Sequence, residues 1–169
     1  MLTILKGRKK EITPSPRRIQ KLENSSGLLV LLCRDLFERG DYFNLSWMEE
    51  ELSCEASQKA EVKVYPHFCQ NLDDLGMLVK LNNPAALLLA PCFRGLSEKK
   101  LMKERLFEIG MDPPRVSLVN LKQAWRKSKK GHSLIACVLE SLRKATRELM
   151  DRIEMEGILQ ENSGLLRYS

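Results

Sequence analysis

Gly27-Leu28-Leu29-Val30-Leu31-Leu32-Cys33 is the stretch that decides the fold. It is an unbroken apolar run of strand length. A strand with one wet face alternates apolar and polar residues. This one does not, so both of its faces must be covered, as in a parallel sheet between helix layers. Residues 85–90 (Ala-Ala-Leu-Leu-Leu-Ala) repeat the signature.

The intervening sequence supplies the rest of the pattern. Ser46-Trp47-Met48-Glu49 reads as a capping box opening a helix. Glu61-Val62-Lys63-Val64-Tyr65 alternates at period two, which suits a strand at a sheet edge. Asn71 precedes Asp73 and Asp74, the signal of a capped helix with acids in its first turn, and Leu72, Leu75 and Val79 follow helical spacing. A helix is expected from Ser97 to a stop at Gly110, and a short strand over residues 115–121. A long helix is expected from Ser133 to about Met155, with Ile135, Val138, Leu142, Ala145, Leu149 and Ile153 on one stripe. Strands joined by helices run parallel with right-handed crossovers. The expected class is therefore α/β: a four-stranded parallel sheet with helices on both faces, a flavodoxin-like three-layer sandwich in strand order 2-1-3-4. Three segments follow: a basic flexible arm over 1–26, one α/β domain over 27–155, and a loose tail over 156–169.

Hydrophobic residues make up 43% of the 169 and charged residues 30%, which excludes wholesale disorder. The longest apolar runs are Leu28–Cys33 and residues 85–92, far short of the ~18–20 residues of a membrane span. Leu2 to Leu5 is followed at once by Lys6, Arg8, Lys9 and Lys10, so no signal core is read there. A cytoplasmic protein with reduced thiols is expected.

The net charge of +6 is unevenly placed, because residues 1–22 hold seven basic residues and only Glu11 as an acid. Lys9, Lys10, Arg17 and Arg18 are candidates for docking a partner, although a solvated tail is the plainer reading of such an arm. No aromatic residue interleaves these cations for base stacking, so nucleic acid is not expected. A second basic tract, Lys122, Arg126, Lys127, Lys129 and Lys130, carries Trp125. It reads as a solvated loop or, through Lys127, Lys129 and Lys130, as a second docking element.

The cysteines carry the chemical signal. Cys33 ends the first strand, Cys69 follows the second, and Cys92 follows the third. All three fall at the carboxyl edge of one parallel sheet, where open α/β sheets bind ligands. Helix amino termini at that edge are expected to favour the thiolate. Thiolates converging from three loops are the donor set of a metal or iron–sulfur centre, which takes four ligands. Asp35 and His67 lie near the same edge as candidates for the fourth. Cys54 and Cys137 read as packed small hydrophobes, and three buried structural cysteines remain the plainer reading of the trio.

At these positions the chain resembles the amino-terminal domain of the A-type subunit of heterodisulfide reductase. It is also similar to the small iron–sulfur (delta) subunit of methyl-viologen-reducing hydrogenase. Leu32-Cys33-Arg34-Asp35, Phe68-Cys69-Gln70 and Leu89-Ala90-Pro91-Cys92-Phe93-Arg94 carry the resemblance. Glu108-Ile109-Gly110-Met111-Asp112-Pro113-Pro114 and Val119-Asn120-Leu121 follow in order, with Trp125 after them. The likeness covers roughly residues 28–150. It implies an iron–sulfur cluster on Cys33, Cys69 and Cys92, and electron transfer among the subunits of a redox complex. Asp35 stands where that family has the second cysteine of Cys-x-Cys. This departure implies an unusual fourth ligand, a ligand from a partner subunit, or a lost cluster.

Two other readings compete. Cys33 and Arg39 have the Cys-x5-Arg spacing of a phosphatase loop, with Asp112 as a conceivable general acid. Asp35 and Glu38 would oppose a phosphate dianion there, and Leu36 and Phe37 are bulky where glycine is needed. The remaining reading is a cluster-free docking or structural subunit. On either non-phosphatase reading the chain serves electron transfer or assembly within a complex and is not a catalyst on its own.

Overall fold

A computed structural model describes residues 27–36, 44–92 and 95–166, the last nine of these as backbone only. Leu28–Cys33 forms β1, and all six of its residues are buried. The chain continues through a 3-10 turn at Arg34–Leu36. Helix α1, Leu45–Ala56, leads to β2, Ala60–Tyr65. Helix α2, Leu72–Asn82, leads to β3, Ala86–Ala90, which is also buried throughout. Then come a 3-10 turn at Gly95–Glu98, helix α3 at Lys99–Glu108, and β4 at Val116–Leu118. Helices α4, Lys122–Lys129, and α5, Leu134–Leu166, complete the order.

The sheet is all parallel, in the order β2-β1-β3-β4. Leu28 pairs with Ala60 on one side and Ala86 on the other, and Leu87 pairs with Val116. The two unbroken apolar runs are thus the two inner strands, and the alternating strand takes an edge, as their sequences require. Helix α1 packs on α5, and α5 also packs on α4 and on the β3–β4 half of the sheet; α2 packs on α3. These are the two helix layers of an α/β sandwich. Leu87, Leu88 and Leu89 are fully buried between them, and a leucine so buried is worth roughly 1.5–3 kcal/mol over an exposed one.

Local chemistry fixes the ends. Asn71 caps α2 through the Asp74 amide, as its position suggested. Helix α1 is capped by Asn44, whose side-chain oxygen accepts from the Trp47 amide, and not by Ser46. Asparagine is at least as good a cap as serine, and starting at Leu45 rather than Trp47 gains two residues of helix. Gly27 enters β1 at φ 40°, and a Cβ there would run into the Lys59 carbonyl oxygen. That same oxygen accepts from the Leu28 amide at 2.8 Å, so the close approach is part of the sheet's first hydrogen bond.

Three expectations are corrected. The fourth strand is only Val116–Leu118. The basic tract after it is the helix α4 and not a loop: Leu121 and Ala124 bury one side of the turn, which suffices to hold eight residues of good helix formers. Residues 156–166 continue α5 and are not a loose tail. No proline interrupts it, and the two interior glycines, Gly157 and Gly164, cost only about 1 kcal/mol each. The docking candidates Lys9, Lys10, Arg17 and Arg18 and the 1–26 arm lie outside the described residues. Among the described residues no helix is long and apolar enough to cross a membrane.

Candidate metal centre

Parallel pairing carries the ends of β1, β2 and β3 to one edge. Cys33 is the last residue of β1 and pairs with Tyr65, the last of β2. Cys69 follows Tyr65 by a short turn in which His67 takes φ 55° and its carbonyl accepts from the amides of Gln70 and Asn71. This turn reverses the chain and sets Phe68 and Cys69 inward, both buried. Cys92 comes two residues after β3, past Pro91.

The three thiols meet. Cys33 Sγ lies 3.8 Å from Cys69 Sγ, and Cys69 Sγ lies 3.0 Å from Cys92 Sγ. All three sulfurs fall within 4.8 Å of one another, and all three residues are buried. Two thiolates held at ~2.3 Å by one tetrahedral ion stand about 3.8 Å apart. The Cys33–Cys69 distance matches that, while Cys69 and Cys92 stand closer and would have to part to share an ion. Without a metal, burial favours the neutral thiol at Cys33 and Cys69. Burial pushes Cys69 up to about 12 and raises Cys33 as well, and the neighbouring sulfurs add to the rise at Cys69. The expected depression by helix amino termini is overridden by desolvation, because these groups sit beneath the edge and not at a helix end in water.

Asp35 and His67 form the rim. His67 Nδ1 stands 2.7 Å from Asp35 Oδ2, and that oxygen accepts from Cys33 Sγ at 3.8 Å. Among the described residues the mutually close ligand atoms are the three sulfurs alone. Asp35 thus borders the thiols as a neighbour of one sulfur, and His67 is held by Asp35. The Asp35–His67 pair itself was not legible, since it depends on the left-handed backbone at His67.

The remaining cysteines separate cleanly. Cys137 is buried in α5, as expected. Cys54 is exposed and is not packed. The inward stripe of α1 is Met48, Leu52 and Ala56, and Cys54 lies two residues from Leu52, more than half a turn away. Lys127, Lys129 and Lys130 are exposed on and just after α4, and His132 is exposed beyond it. Asp112 precedes β4 and so lies at the amino edge of the sheet, opposite Cys33. It cannot serve as the acid of a phosphatase loop, whose Arg39 lies outside the described residues.

Comparisons with protein-family models, with curated proteins and with solved structures find no match for this chain.

Proposed function

We propose that the chain is an electron-transfer subunit that holds an iron–sulfur centre on Cys33, Cys69 and Cys92. The observation that carries this reading is the convergence of three buried sulfurs within 4.8 Å from three separate loops. Packing alone does not call for it, since a small hydrophobe at each position would fill the same space. The resemblance of these same three positions to the iron–sulfur subunits named above supports the choice of iron and sulfide. Asp35 touches Cys33 Sγ and is the candidate fourth ligand. Such a centre, when bound, supplies one-electron chemistry at a potential set by burial, net charge and hydrogen bonds to sulfur. The chain's own part is to remove the thiols from water, hold them together at one sheet edge, and hand electrons to neighbouring subunits of a redox complex.

The second reading is a cluster-free docking subunit. The raised pKa values of Cys33 and Cys69 favour it, because neutral buried thiols are stable packing elements.

Anaerobic purification followed by iron, acid-labile sulfide and visible absorption separates the two. Stoichiometric iron and sulfide with a broad band near ~400 nm is expected for the first. A colourless protein after reconstitution with iron and sulfide overturns it. Zinc without sulfide would replace electron transfer by a structural centre.

A further inference from the structure

Helix α4 rises from the same sheet edge as the thiols. Strands β3 and β4 are paired at Leu89 and Leu118, and the Val119 amide donates to the Leu89 carbonyl at 2.7 Å. Cys92 and Leu121 each lie three residues beyond the paired Leu89 and Leu118, so both follow neighbouring strands out of the same sheet edge. Leu121 is buried, and the helix starts at the next residue.

The outer face of this helix is cationic. Lys122, Arg126, Lys127, Lys129 and Lys130 are all exposed. Between Asp112 and Glu140 the sequence has no acidic residue. Among the described residues none of these five takes part in an ion pair, whereas Arg105, Arg143 and Arg147 all do. Lys122 and Arg126 are four apart, as are Arg126 and Lys130, and such like-charge pairs destabilise a helix by a few tenths of a kcal/mol each. The helix dipole accounts for cations in the last turn; it opposes Lys122 in the first. Lys129 Nζ stands 3.6 Å from the centre of the Trp125 ring and covers one of its faces.

We infer that this face of α4 docks the acidic surface of a protein redox partner beside the thiol centre. The inference deepens the proposed function and rests on it for the purpose of the contact. The docking itself depends on charge and holds with or without metal. Placing an acidic carrier here sets it over the edge where Cys92 emerges, and long-range attraction speeds the encounter.

The test uses the full chain and a plant-type ferredoxin as the acidic probe. Binding is measured by titration at low and at about 0.15 M ionic strength, where the Debye length is about 8 Å. Four variants combined, Lys122→Glu, Arg126→Glu, Lys127→Glu and Lys130→Glu, are expected to weaken binding at least tenfold with the same iron content and circular dichroism. The arm variant (Lys9→Glu, Lys10→Glu, Arg17→Glu, Arg18→Glu) is expected to keep it. No binding by the parent chain, binding unmoved by the α4 charges, loss in the arm variant alone, or tighter binding of a short single-stranded oligonucleotide overturns the inference. A parent chain that lacks iron but binds ferredoxin through α4 would keep the docking surface and remove the electron-transfer reading.

Discussion

Cys69 and Cys92 bring their sulfurs to 3.0 Å across 23 residues of sequence. A disulfide needs about 2.05 Å, so roughly 1 Å of side-chain movement closes it. In metal-free protein treated with diamide, which takes the two electrons and two protons, the Cys69–Cys92 crosslink is expected to dominate over Cys33–Cys69. Peptide mapping by mass spectrometry reads this directly. Bound metal should protect all three thiols; crosslinking at an equal rate in the loaded protein would mean that the sulfurs are not its ligands.

The raised thiol pKa values make a prediction for the metal-free protein. Cys69 shifts from 9.0 to about 12 on burial. Between those values the unfolded chain has lost its proton and the folded chain still holds it. Stability is therefore whole below pH 9 and falls as the pH rises toward 12. The urea midpoint should drop between pH 8 and pH 10.5, and the drop should be smaller in Cys69→Ala. An identical pH slope in both proteins would show that this thiol ionises freely in the fold.

Serine scanning separates ligand from filler. Cys33→Ser, Cys69→Ser and Cys92→Ser are each expected to abolish iron binding. Cys137→Ser, buried in α5 away from the sheet edge, should leave it intact at a modest cost in stability. Equal iron loss from Cys137→Ser would remove the site assignment.

The sheet itself was legible because its chemistry is local. Leu28–Cys33 and the apolar run of β3 have no polar residue to turn outward, so their central places follow from burial alone. The convergence of Cys33, Cys69 and Cys92 followed from the same logic, since parallel strands end at one edge. Helix α4 was not legible, because Leu121 and Ala124 give too little apolar period to outweigh five cations. The contact of Asp35 with His67 depends on one residue at φ 55°, which no periodicity encodes. The solvent position of Cys54 follows from helical spacing alone, since it stands two residues from Leu52 on the inward stripe of Met48, Leu52 and Ala56.

Gly27 tests how the sheet begins. Alanine at this position would have to hold a left-handed φ and push the Lys59 carbonyl away from its bond to Leu28. The expected loss for Gly27→Ala is about 2 kcal/mol or more. Leu88→Ala, in the middle of the buried β3, should cost about 2–5 kcal/mol. If Gly27→Ala proved neutral in urea denaturation, the entry to β1 would be looser than the hydrogen bond implies.

Asp35 poses the question of the fourth ligand. Its carboxylate is half-exposed, touches Cys33 Sγ and binds His67. As an exposed contact with His67 it contributes little to the fold, on the order of 1 kcal/mol or less. Asp35→Ala should therefore leave the denaturation midpoint nearly unchanged. If the carboxylate completes the centre, the same variant should lose iron readily to a chelator, while Asp35→Cys, which supplies a thiolate at that position, should retain it longer than the parent. His67→Ala removes only the partner of Asp35 and should give an intermediate loss, as expected of a residue that orients a ligand. Chelator-driven release followed at the visible band orders the four proteins. An Asp35→Cys variant no more retentive than Asp35→Ala would assign the fourth position to a group outside this edge, supplied by a partner subunit or by solvent.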